Sequence, residues 1–195
     1  MSRLPLAIVC ACLVLAISGC GDQQSSQPPG FTFSSIKAAL NKSNMKSAHF
    51  SVVGNVVRNG ASYAIQGDGV LQRLPAAAVE TNLTVLTNSA AGDVQLQQIQ
   101  IGGKVYSRTG TGAWSSQPDT STVSPLNPTG YSGEDSRNGQ AVWHLRSSDA
   151  LNSYDMWIRE SDAYIVLISY KDSSGESLNF IMNSYNKSPV IIAPS

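Results

Sequence analysis

From Ala48 onward the apolar residues recur at every second position. Phe50, Val52, Gly54 and Val56 fall on one phase, the alternation of a strand with one buried face. Asn59-Gly60 follows, and both residue types suit the positive φ that a type I′ hairpin turn demands. Folding the chain back there sets Val56 opposite Tyr63, Gly54 opposite Ile65, Val52 opposite Gly67 and Phe50 opposite Gly69, so the apolar faces meet in register. The same period predicts strands over 79–87, 94–101, 104–108, 140–146, 154–159, 164–170 and 177–185. Turn material separates them: "NSAAGD", Gly102-Gly103, Asn138-Gly139, "ESDA" and "KDSSGE". Successive hairpins without helix-length crossovers predict an antiparallel meander.

Ahead of the strands the period is helical. In "FTFSSIKAALNKSNMKSA" the residues Ile36, Ala39 and Leu40 share one face behind Ser34 or Ser35 as N-cap, which predicts a short amphipathic helix. A second short helix is expected near 148–153. Gly67 and Gly69 stand mid-strand, where glycine marks a bend or a close approach by ligand or backbone. In "VQLQQIQIG" the apolar phase switches between Leu96 and Ile99, as a β-bulge would cause. "AYIVLISY" is apolar on both phases, the pattern of a strand covered on both sides. The stretch "WSSQPDTSTVSPLNPTG", with Pro118, Pro125 and Pro128, reads as a long loop.

The first residues follow another rule. Arg3 supplies a short positive region, 6–17 is apolar, and the run ends in Ile17-Ser18-Gly19-Cys20. About twelve apolar residues fall short of the roughly 20 that a spanning helix needs, and the arrangement is that of an export signal. Ile17-Ser18-Gly19-Cys20 resembles the bacterial lipobox, in which the cysteine sulfur takes a diacylglyceryl group before cleavage ahead of it. This predicts a signal peptide over 1–19, a lipidated Cys20 opening a polar tether over 20–30 that continues as "GDQQSSQPPG", and a single domain over 31–195. Two acyl chains meet the two-signal condition for stable membrane attachment. The other cysteines, Cys10 and Cys12, leave with the signal, so the domain is held by packing and not by disulfides.

Composition narrows the function classes. Of 195 residues only 13% are charged, and 13 Lys+Arg balance 13 Asp+Glu, so no strong field points to nucleic acid. The catalytic motifs H-E-x-x-H and G-x-S-x-G and a phosphate-cradling glycine loop are missing from the sequence. His49 and His144 are the only histidines, too few for a typical zinc site without a carboxylate cluster. Ser34-Ser35-Ile36-Lys37 and Ser43-Asn44-Met45-Lys46 match S-x-x-K without its companion motifs, and read as capping and solvated positions. Glu134 and Asp135 are adjacent in the chain and, on a strand, face opposite sides. Neither an enzyme nor a cofactor or metal site is expected. Trp114, Trp143, Trp157, Tyr154 and Met156 either pack a core or line an apolar cavity.

The order of elements is similar to a known group. Lipobox, polar tether, short helix, "MKSAHFSVVGNVV", "YAIQGDGVL", "IQIGGKVYSRTGTGAW", a long loop, "RNGQAVWHL", "MWIRESDAYIVLISY" and "NFIMNSYNKSPVIIAPS" resemble the LppX/LprG group of bacterial lipoproteins, within the LolA/LolB-like lipoprotein-carrier superfamily. The resemblance implies an α+β fold: a strongly curved antiparallel sheet, an incomplete β-barrel, with short helices covering its concave face. It further implies an apolar cavity between sheet and helices that accepts acyl chains of a membrane lipid or glycolipid. Side-chain phase makes Phe50, Val52, Ile65, Leu83, Val85 and Trp114 the lining candidates. The expected function is a lipid-anchored carrier on the extracytoplasmic face of a bacterial cell membrane. The alternative is an envelope interaction or sensor module of the same fold that binds a protein partner.

Overall fold

A computed structural model of the protein describes residues 32–87, 92–119 and 128–194. Asn59 and Gly60 adopt φ of 53° and 77°, the two left-handed residues of a type I′ turn. Around them β1 (Ser47–Arg58) pairs with β2 (Ala61–Gln72), with Val56, Gly54, Val52 and Phe50 opposite Tyr63, Ile65, Gly67 and Gly69. Hairpins continue through β3 (Ala78–Leu86), β4 (Val94–Ile101), β5 (Lys104–Thr109) and a short β6 (Ser115–Pro118). A second meander comprises β7 (Gly130–Arg137), β8 (Gln140–Ser148), β9 (Asn152–Arg159), β10 (Ile165–Asp172) and β11 (Ser177–Tyr185). One non-sequential pairing, β1 with β11, joins the meanders into an eleven-stranded antiparallel sheet of order β6-β5-β4-β3-β2-β1-β11-β10-β9-β8-β7. The sheet is not closed; β6 and β7 are its edges.

Strands far apart in that order nevertheless share one interior. Gln98 of β4 and Tyr154 of β9 line the same small cavity, although six spacings of about 4.8 Å would separate them by roughly 29 Å in a flat sheet. The sheet therefore bends around on itself. Mid-strand glycines permit it: a Cβ at Gly67 would lie 2.0 Å from the Asn82 carbonyl oxygen, and one at Gly69 would lie 2.1 Å from that of Glu80 and 2.5 Å from the Phe50 ring. Neighbouring backbone and an aromatic ring occupy the space where other residues carry a side chain.

Among the described residues the one helix is α1 (Phe33–Lys42). Its N-cap is Thr32, ahead of the Ser34 or Ser35 expected. Thr32 Oγ1 accepts from the Ser35 N–H at 3.1 Å, and Ser35 Oγ accepts from the Thr32 N–H at 3.0 Å, so serine replaces the usual Glu or Gln of a capping box. At the other end Arg73 Nη2 donates to the Leu40 carbonyl at 3.0 Å and Nη1 to Ser43 Oγ at 2.6 Å, tying the last turn of the helix to the end of β2. Ile36 and Leu40 are buried in the main apolar cluster, together with inward-facing residues of both meanders.

Four further expectations are corrected. The helix near 148–153 is a turn, in which Asp149 Oδ1 accepts from the N–H groups of Leu151 and Asn152 at 2.8 and 2.7 Å; the short side chain captures backbone donors before a helix can form. No bulge interrupts β4, whose register with β3 runs unbroken from Ala78 opposite Ile101 to Val85 opposite Val94. The phase switch instead reflects a second apolar cluster on the outer face, made of Ala78, Ile99 and Ile191 with Val70, Ile101, Tyr106 and Trp114 against it. Its cover is the C-terminal segment, pinned where the Ile191 N–H donates to Gln72 Oε1 at 2.8 Å. On β10 Ile165, Ile168 and Tyr170 are buried while Val166 and Leu167 are only half-buried; a bulge between Ile165 and Leu167 shifts the phase, and the outer side is open. Within the stretch read as one long loop, residues 115–118 form β6, and β7 begins at its last residue, Gly130.

Candidate functional site

The alternation of β1 brings Phe50 to the inner face, and the register carries that row across the sheet. Phe50 stands opposite Gly69 and Met182, Gly69 opposite Thr81, and Thr81 opposite Gln98. Phe50, Met182, Thr81 and Gln98 of this row line a small cavity of about 30 Å³. One wall is apolar: Phe180 meets Phe50 edge-on with centroids 5.5 Å apart, and Leu71, Ile168, Met182 and Tyr154 complete it. Tyr154 is braced by Tyr170 at 5.1 Å, whose hydroxyl donates to Asn152 Oδ1 at 3.0 Å.

The wall from β3 and β4 turns polar. Thr81 is 2% exposed, and Gln98 Oε1 is buried without a hydrogen-bond partner among the described residues. Gln100 Nε2 donates to Asp119 Oδ2, and the Asp119 N–H in turn donates to the Gly103 carbonyl at 2.9 Å. The cavity is thus an apolar slot with amide and hydroxyl groups on one side. Sequence reasoning missed this side, although extending the Phe50–Gly69 register by two strands points to Thr81 and Gln98. Phe180 and Met182 carried no such signal, because nothing local pairs β1 with β11.

The expected lining residues divide. Phe50 borders the cavity, and Val52, Ile65, Leu83 and Val85 lie in the same buried cluster, in adjacent inner rows. Trp114 sits apart, half-buried on the outer cluster with the Arg108 guanidinium 4.7 Å from its ring centroid. Cys20 lies outside the described residues.

Titratable groups with shifted pKa values lie elsewhere. Burial, then the charges of Glu134 and Glu160, raises Tyr131, and burial with Glu134 raises Glu160. An open groove of about 520 Å³ lies beside Glu160, Trp143 and Arg159, and it presents no nucleophile paired with a base. His144 is committed to an outer-face network, its Nε2 donating to Asp155 Oδ1 at 2.7 Å and its ring stacking on Trp157 at 4.5 Å. Trp157 Nε1 donates to Asp135 Oδ2 at 3.1 Å. No three metal-ligating side chains gather among the described residues.

Several solved structures are similar to this chain at low sequence identity. LprF from Mycobacterium bovis matches at 15% identity over 85% of this chain and 100% of its own, with a TM-score of 0.39. A LolA superfamily protein from Nitrosomonas europaea matches at 11% identity over 83% of this chain and 96% of its own, at 0.38. An uncharacterized conserved protein from Thermus thermophilus matches at 11% identity over 81% of this chain and 88% of its own, at 0.49. No family model matches the sequence, and no curated protein matches it. With every one of these TM-scores below 0.5, none bears on what the cavity binds.

Proposed function

We propose that this chain is a lipid-anchored extracytoplasmic lipoprotein that shields lipid acyl chains from water in the interior of its bent sheet, without covalent chemistry. The observation that carries the reading is the inner face itself. An unclosed sheet wraps a largely apolar interior, and α1 reaches into it through two side chains and is fastened at the rim by Arg73. One short helix, docked through Ile36 and Leu40, can leave that interior without unpairing a strand. A volume of about 30 Å³ is small for an acyl chain, so binding parts the Phe50, Phe180 and Met182 side chains that line it. Each methylene kept from water on transfer contributes about 0.8 kcal/mol, which a bilayer and an apolar slot supply almost equally. Carriage therefore needs shelter more than strong binding.

The test uses residues 21–195 behind an export signal of the non-lipidated, cleavable kind, so that the chain is exported without Cys20 and its anchor. Native mass spectrometry of the purified protein is expected to reveal an acyl lipid that leaves on denaturation, and a fluorescent acyl probe is expected to be taken up. A ligand-free mass together with no uptake overturns the reading. Metabolic labelling with a fatty-acid analogue checks the anchor separately: the native chain is expected to carry label, and Cys20→Ser to carry none.

A further inference from the structure

The interior is not uniformly apolar, and its polar side is built into the sheet. Thr81 and Gln98 are direct cross-strand partners on β3 and β4, both face the cavity, and Gln98 Oε1 is buried with no partner among the described residues. A buried carbonyl oxygen left unmatched is a standing cost of folding, removed when a donor arrives. For a cavity meant only for hydrocarbon, leucine or valine at both positions would have served better, as Leu83 and Leu96 do one row away on the same two strands.

We propose, resting on the lipid-binding reading, that the acyl chain received here carries a hydroxyl group, which settles between Gln98 and Thr81. Two features select a hydroxyl. It both donates and accepts, so it donates to Gln98 Oε1 and accepts from the Thr81 hydroxyl. It is also small enough: the cavity of about 30 Å³ has room for a hydroxyl beside Gln98 and Thr81, while the hydrocarbon on either side displaces the Phe50, Phe180 and Met182 side chains. The polar side then fixes how far the chain slides in, and the apolar wall accepts whatever length remains.

Full-length protein in its membrane is exposed to two photoactivatable palmitate probes that differ only in a hydroxyl on the chain, and cross-linked peptides are mapped by mass spectrometry. The hydroxylated probe is expected to label β3, β4 and β11 peptides about tenfold more than the plain one at equal concentration, a difference of ~1.4 kcal/mol. Gln98→Leu is expected to abolish the preference while plain-probe labelling persists, and Thr81→Val to reduce it. Equal labelling of the native protein by both probes overturns the hydroxyl proposal and leaves the lipid reading intact. A preference that survives in Gln98→Leu overturns the role of Gln98. Labelling by neither probe overturns the lipid reading itself. The comparison in native protein decides the matter even where a variant fails to fold.

Discussion

The two apolar clusters are drawn from the same sheet and differ in how they are closed. Inside, residues as distant as Phe50, Leu96, Leu145 and Ile168 meet because the sheet bends, and every contributing strand supplies its share through alternation. Outside, Ala78 and Ile99 lie on the opposite face and need Ile191, from a segment without regular structure, to cover them. On β4 the contrast falls within a few residues: Leu96 points in, Ile99 and Ile101 point out, and the inward positions between them are glutamines. The difference teaches that burial and membership of the binding interior are separate properties. An apolar residue on this sheet is covered by the tail or by the opposite wall, and only the second bears on ligands.

Substitutions can break that distinction or sharpen it. Phe50→Ala is expected to cost about 3–5 kcal/mol in urea unfolding, since it removes a buried ring and leaves a cavity. Gly69→Ala comes next, at about 3 kcal/mol, because the added methyl meets the Glu80 carbonyl as well as the Phe50 ring. Combined with Phe50→Ala the two effects are expected to be less than additive, since the ring contact is then already gone. Ile191→Ala, on the outer cluster, is expected to cost about 2 kcal/mol and to leave acyl-probe uptake unchanged. A loss equal to that of Phe50→Ala, or a loss of uptake, would erase the line between core and cover.

The smallest effect belongs to neither cluster. Burial alone would raise the pKa of Asp162, but Arg159, at 2.6 and 2.9 Å, and the Tyr164 N–H, at 3.1 Å, outweigh it and hold the carboxyl below its usual range. A carboxylate depressed in the folded state contributes stability above its unfolded pKa and loses it as pH falls through the folded value. Stability is therefore expected to decline below about pH 4, and Asp162→Asn to flatten that decline slightly in an acid titration followed by circular dichroism.

The inner face of β1 to β3 was readable in the sequence because one turn, Asn59-Gly60, fixed the register and alternation did the rest. Edge strands were not readable. Residues 115–118 are exposed throughout, and of β7 only Tyr131 is buried, so neither has an apolar phase to detect. The tail over Ile99 was equally hidden, since "KSPVIIAPS" carries no period and its docking depends on a single buried side chain. The polar side of the cavity was hidden for the opposite reason. Gln98 and Gln100 look like ordinary solvent-facing positions, and only the unbroken β3–β4 register turns them inward.

The pairing of β1 with β11 also imposes an order in time. The His49 and Asn183 side chains that meet across it are 134 residues apart, while the other pairings in the sheet join consecutive strands. Each meander can form as soon as its own hairpins are synthesised, but the seam between them waits for the last strand. Closing so long a loop is slow relative to local pairing. Until it happens, Phe50, Val52 and the partner row on β11 stand at two naked borders, and whatever escorts the nascent chain must keep those borders from finding other strands.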